Sequence, residues 1–350
     1  EEYNHLPYVG DTFQPTEIHH SDSRSKSSMI CSRIRAAPSL PSCCLKMFFD
    51  VTIMIDAKAN KSCTSSHIMI STDTITSARN VEKKHGTSYY IATLFFPKEI
   101  KTAVFILYAF VRTPDEFVDN PDPHSNPRSE ITQWKEQWIR AYNGEQVENQ
   151  LLQATADIFK KYKIPFDLSI SFIDAMMRDT TQSRYTTYTD LQSYMYGSAE
   201  VVGMMLTYII GYTDPHAFSY AQKLGEAMQL TNFLRDIEED YVKRDRIYLP
   251  TEDMNRYHVT ESMIRNKEVT QEFIDLMKYE ITRARKLFRE AELGICMLSH
   301  NGQFPVRLAS RLYEKILDKI EQEQYDIFNK RVRSTTLEKI WLITKTYASH

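Results

Sequence analysis

Polar residues recur at helical spacing within otherwise apolar helices at two places in this chain. In Ala227–Pro250, AMQLTNFLRDIEEDYVKRDRIYLP, the residues Gln229, Asn232, Asp236 and Asp240 follow steps of three and four, so they share one helical face. Leu230, Leu234, Ile237 and Tyr241 form a second stripe suited to core packing. In AVFILYAFVRTPDEFVDN the same spacing links Tyr108, Arg112, Asp115 and Asp119, while nearly every other position from Ala103 to Val111 is apolar. A helix that is apolar almost all round belongs in the interior. A lone DxxxD is ordinarily a solvated face, but two buried ones must meet positive charge, because each unpaired carboxylate costs several kcal/mol. Arg112 alone cannot balance both stripes, so the simplest arrangement has them share divalent ions. Carboxylate oxygens suit Mg²⁺, and Arg235, Lys243, Arg244 and Arg246 beside the second stripe suit the oxygens of a polyphosphate.

The remaining pattern is helical from Ser77 onward. It predicts helices over Ser77–Lys84, Glu130–Tyr142, Glu148–Tyr162, Phe166–Asp179, Leu191–Gly211, Gln271–Glu292, Phe304–Arg331 and Thr335–Tyr347. A short helix closes at Leu94–Pro97, and the long buried one opens at Lys98 with a kink expected at Pro114. Trp134 and Trp138, four apart, read as a packing pair. Gly197 and Gly203 inside a helix each cost about 1 kcal/mol relative to Ala, which implies close approach of another backbone or of a ligand. The segment after Pro250 reads as a polar connection. Residues 1–70 are polar and irregular, without a charged segment leading into an apolar one, and read as an N-terminal extension. Residues 71–350 then make one all-α domain.

Composition narrows the function. Only nine of 350 residues are glycine, fewer than the usual share of about 7%, which favours helices over turns. A net charge of −3 gives no footprint for nucleic acid. The five cysteines (Cys31, Cys43, Cys44, Cys63 and Cys296) lack metal-ligand spacing and suit a reducing, cytoplasmic setting. The apolar run Val201–Tyr212 is shorter than the roughly 20 residues a membrane-spanning helix needs. No Gly-rich phosphate loop or dinucleotide fingerprint is present.

Taken together, LYAFVRTPDEFVD, YMYGSAEVVG, EAMQLTNFLRDIEED with DRIYLP, and RLYEKIL…YDIFNKR resemble the phytoene/squalene synthase family over about residues 77–345, and the QLTNFLRDIEED…RIYLP run is most similar to its phytoene synthase branch. The resemblance implies an isoprenoid synthase helical bundle with a central cavity. It implies head-to-head condensation of two geranylgeranyl diphosphates to phytoene through a cyclopropylcarbinyl diphosphate. Asp115, Asp119, Asp236 and Asp240 match the family's metal-binding aspartates, with Mg²⁺ (or Mn²⁺) as the ion and no NADPH expected. Arg112, Gln229, Asn232, Arg235, Arg246 and Arg331 match diphosphate contacts, and Ser88 falls where the family has a serine by the first diphosphate. Tyr108, Tyr194, Tyr248 and Tyr313 match cavity tyrosines, of which Tyr194 and Tyr248 join the aspartates as expected catalytic groups. Phe110, Phe117, Val201, Val202, Met205 and Phe233 are the expected apolar lining. Prenyl diphosphates are the implied partners, with loose association to a membrane surface; the resemblance sets no oligomeric state. The chain departs from the family pattern at Glu116, Glu200 and Glu238. Two alternatives stay open: a farnesyl diphosphate-using dehydrosqualene, hydroxysqualene or squalene synthase, and a non-catalytic assembly factor of the same fold.

Overall fold

The computed structural model describes residues 70–329 and 332–349, and no strand occurs among them. Apart from Ile70, the expected extension over residues 1–70 lies outside the described residues, as does the diphosphate contact expected of Arg331.

Helix α1 spans Thr72–His85 and begins earlier than the apolar pattern suggests, because Ser71 caps it by accepting from the Thr74 amide at 3.1 Å. Helix α2 is Thr87–Thr93, and α3 is Lys98–Asp119, which runs on through Pro114 as one helix. Asn126 caps α4, Pro127–Tyr142, with Pro127 at its first position, where a missing N–H costs no helical bond. Helices α5, Gln150–Tyr162, and α6, Phe166–Asp179, follow. The Trp pair lies buried around Phe110, with the Trp138 ring centroid 4.7 Å from that of Phe110.

The helix expected over Leu191–Gly211 is not uniform. Thr187 and Asp190 form a capping box that starts α7 at Tyr188. After Met195 the chain widens into a π-helical turn, Tyr196–Glu200, before α8, Val201–Ile210. Its glycines serve helix packing. A Cβ on Gly203 would fall 2.6 Å from the Ala221 carbonyl oxygen, and one on Gly225 2.6 Å from that of Ala199. The π turn and α8 thus lie backbone to backbone against α9, Ala217–Arg244, a helix of 28 residues.

Beyond α9 two short helices, α10 (Thr251–Arg256) and α11 (Glu261–Arg265), occupy the stretch expected to be a polar connection. Helix α12 is Gln271–Glu292, as its apolar period predicts. Helix α13 is His300–Gln322 and stops well short of Arg331, because Gln324 and Tyr325 turn into the left-handed region at φ 55° and 62°. Helix α14 is Thr336–Ala348.

Helix α3 packs against α1, α4, α5, α6 and α8, whereas α9 packs against α8, α12 and α13. Between these two groups lies a cavity of about 250 Å³. Arg112 and Asp115 reach its wall from α3, and Met228, Gln229 and Asn232 reach it from α9. Its far end is apolar, with Leu206, Ile210, Leu298 and Val306.

Candidate active site

The two acidic stripes meet at the polar end of this cavity, where Asp115 is the one aspartate of the four in its wall. Arg244, at the end of α9, holds one carboxylate from each helix: Nε lies 3.0 Å from Asp119 and Nη1 donates to Asp240 at 2.8 Å. Arg246 Nη1 approaches the same Asp119 oxygen at 3.5 Å. On α3, Arg112 pairs with Asp115 and Glu116 and stands 3.9 Å from Asp119. On α9, Arg235 Nε donates to its neighbour Asp236 at 2.8 Å. Each of the four expected aspartates therefore already has an arginine partner.

Their titration reports how crowded this acid cluster is. Burial, followed by repulsion from Asp119, pushes Asp115 up to about 7 despite Arg112. Burial and the nearby Asp236 carry Asp240 to about 8 despite Arg244. Asp119 is raised by burial as well, with Arg244 the strongest opposing influence. Asp115 keeps about a third of its side-chain surface open, and it lines the cavity. Two pairs of carboxylates one helical turn apart, with Asp115, Asp119 and Asp240 held back from ionising by burial, suit a hard divalent cation. Among the described residues no three His, Cys, Asp or Glu side chains converge into a ready-made metal cage. The remaining oxygen ligands would have to come from water and from a phosphorylated substrate, the usual condition for Mg²⁺.

The amides and tyrosines divide into two groups. Gln229 and Asn232 line the cavity, where Asn232 donates to Gln229 at 3.3 Å and Gln229 reaches the Ser198 hydroxyl at 3.5 Å. Tyr108 lines it too, seated over Gly86, where a Cβ would fall 2.6 Å from the tyrosine oxygen. Ser88 is half-buried in the first turn of α2, beside Tyr89, which lines the cavity and donates to the Met228 sulfur at 3.0 Å. Tyr313 sits behind, its ring 4.9 Å from that of Tyr89.

Tyr194 and Tyr248 belong to a different cluster. Both are buried, and neither is part of the cavity wall. They stack with Phe233, whose ring lies 4.0 Å from Tyr248, and their hydroxyls converge on Asp179. Arg246 donates to the Asp179 backbone carbonyl at 2.8 Å, so Asp179 ties the tyrosine stack to the arginine that reaches Asp119.

Sequence reading missed Asp179, and it placed Arg244 among the cations suited to a polyphosphate but not as the link between the two stripes. Asp179 is the last residue of α6, where a carboxylate looks like an ordinary helix end; only the fold brings the RIYLP segment over it. Arg244 lies one turn beyond Asp240, and that i,i+4 spacing was its available signal. The expected lining needs correction. Of the six apolar residues named for it, only Val202 reaches the cavity wall. Phe110 packs with Trp138 and Phe159, and Phe233 with Tyr248, so their bulk faces other side chains.

A helical bundle with an apolar cavity, capped at one end by two facing acid-bearing helices, defines an isoprenoid synthase fold. The chain belongs to the squalene/phytoene synthase family, whose pattern residues 82–338 match. It is 32% identical over 274 residues to a 15-cis-phytoene synthase of Synechococcus elongatus, covering 75% of this chain and 88% of that protein. It is 34% identical over 272 residues to a chloroplastic phytoene synthase of Daucus carota, covering 76% and 68%. Among solved structures, a dehydrosqualene synthase crystallised with a ligand superposes with a TM-score of 0.74 at 25% identity, covering 79% of this chain and 96% of that one.

Proposed function

We propose that this protein is a prenyltransferase that joins two geranylgeranyl diphosphates head to head, giving 15-cis-phytoene. The observation that carries this reading is Arg244 spanning Asp119 on α3 and Asp240 on α9, the two helices that also supply Asp115, Gln229 and Asn232 to the wall of the apolar cavity. The naming of relatives that cover most of their own length supports the choice of product.

Bound Mg²⁺, held by Asp115, Asp119, Asp236 and Asp240, would neutralise charge on the departing pyrophosphate. Arg112, Arg235, Arg244 and Arg246 are placed to exchange carboxylate partners for phosphate oxygens, a substitution that planar guanidinium groups make with little geometric change. Gln229 and Asn232 orient the phosphate end. The apolar far wall holds the hydrocarbon and excludes water, which would otherwise quench an allylic cation to an alcohol. Tyr194 and Tyr248 act through Asp179 by fixing Arg246.

The reaction is proposed to run without NADPH. The decisive test incubates purified protein and Mg²⁺ with geranylgeranyl or farnesyl diphosphate, with and without NADPH, and identifies the hydrocarbon. Phytoene formed without NADPH is the expected result. A C30 product, or strict NADPH dependence, moves the assignment to a dehydrosqualene or squalene synthase. No helix among the described residues is long and apolar enough to cross a membrane. Association with a bilayer surface is proposed instead through exposed Leu337, Trp341 and Tyr347 on α14. It is tested by vesicle co-sedimentation of Trp341→Ser against the unaltered protein, and equal binding of the two would exclude this route.

A further inference from the structure

The cavity wall contains two carboxylic acids, Asp115 and Glu82. Asp115 belongs to the acid cluster at the mouth. Glu82 does not, and its position is unusual. It lies on α1 within the charged run VEKKH, yet Lys83 and Lys84 are exposed whereas Glu82 is fully buried. Thr93 on α2 donates to its Oε1 at 2.8 Å, and Oε2 is buried with no hydrogen-bond partner. Among the described residues no cation pairs with it. The ionisable groups that face it are the hydroxyls of Tyr89 on α2 and Tyr108 on α3, both of which burial holds neutral; His85 on its own helix turns instead to Glu116 at 3.1 Å. A carboxylate with one oxygen fixed and the other free, in the wall of an apolar reaction chamber, costs stability and has no structural partner to justify it.

The geometry points to Glu82 as a catalytic base that accepts the proton lost when the cyclopropane ring closes. The inference rests on the prenyltransferase reading and supplies a step that the acid cluster does not. Once the alkene of the second substrate has bonded to the allylic carbon of the first, a C–H bond on that same former allylic carbon, one carbon removed from the new cationic centre, breaks. Its electron pair forms the third ring bond, and its proton passes to Glu82 Oε2, turning carboxylate into carboxylic acid. Thr93 keeps Oε1 fixed throughout, and the proton leaves to water between turnovers. Burial sets the side chain near pKa 7, so it is ionised in a useful fraction at neutral pH.

The test measures steady-state rates and hydrocarbon products from pH 5.5 to 9 for the unaltered protein, Glu82→Gln and Thr93→Val. Glu82→Gln is expected to lower kcat by at least ~100-fold, the usual scale of general base catalysis, with KM within about threefold and with the limb of activity rising through pH 7 abolished. Thr93→Val keeps the acid but removes the bond that favours its ionised form, so the limb should persist and move to higher pH. Near-normal kcat and an unchanged pH profile in Glu82→Gln overturn the inference. If circular dichroism shows that Glu82→Gln does not fold, Thr93→Val decides, and an unmoved limb overturns it. An unaltered protein that makes no hydrocarbon from any prenyl diphosphate overturns the function itself and this step with it.

Discussion

Glu82 also makes a prediction about stability that needs no substrate. The perturbation is Glu82→Gln, which keeps the shape and the acceptor for Thr93 but removes the charge. In the folded protein burial raises the side chain from its ordinary 4.5 to about 7, and the Thr93 hydrogen bond only partly offsets this. For an acid raised on folding, the native state holds its proton more tightly than the unfolded chain, so stability falls as pH climbs from 4.5 toward 7 and the loss is complete above 7. At about 1.4 kcal/mol per tenfold change in proton affinity, the full loss is about 3 kcal/mol. Some of the penalty is already present at pH 5, which leaves about 2 kcal/mol between pH 5 and pH 8. Urea unfolding of the two proteins at those pH values measures the difference directly. The variant should gain about 2 kcal/mol on the unaltered protein as pH rises, or roughly 3–4 °C in Tm for a domain of this size. An equal stability difference at both pH values would refute the reasoning, because it would mean that Glu82 does not titrate differently in the folded and unfolded states.

Three further outcomes are expected. Asp119→Asn or Asp236→Asn should abolish turnover while leaving the far-ultraviolet circular dichroism unchanged; near-normal activity with Mg²⁺ in either would remove the basis for the metal site. Arg244→Ala leaves Asp119 and Asp240 facing each other without the guanidinium between them. The expected cost is about 3 kcal/mol without Mg²⁺, and excess Mg²⁺ should restore more of it than it adds to the unaltered protein, as read by thermal unfolding. Gly225→Ala gains about 1 kcal/mol of helix propensity, but its Cβ would meet the Ala199 carbonyl at 2.6 Å. The clash should win, with a net loss of about 1–2 kcal/mol in chemical denaturation, and a stabilised variant would contradict the close helix contact.

Much of the site was legible because its residues obey one helical period. Asp115 and Asp119, like Asp236 and Asp240, could be placed on inward faces from spacing alone, and the buried character of α3 followed from the apolar residues around Arg112. What escaped depended on contacts between distant segments. The inward turn of Glu82 is set by Thr93 and by the packing of α1 on α3, and within VEKKH nothing distinguishes it from its exposed neighbours. Asp179 acquires its role only when Tyr248 and Arg246 arrive from across the bundle. The lining was misjudged for the same reason: Phe110 and Phe233 have the right chemistry for a hydrocarbon chamber, but their neighbours in space are Trp138 and Tyr248. The short helices α10 and α11 carry too few turns to show a period: the Tyr185 and Thr186 carbonyls accept from the first amides of α10, and Thr260 caps α11.

The widened turn at Tyr196–Glu200 lets one continuous rod serve two masters. Upstream of it, Tyr194 points into the aromatic stack beside Asp179; downstream, Val202 and Leu206 face the chamber. A uniform α-helix advances about 100° per residue, so removing a single residue from this loop of backbone would swing everything after it by roughly that angle. The extra residue is a phase adjuster: it sets which side of the downstream half greets the hydrocarbon, independently of how the upstream half is anchored.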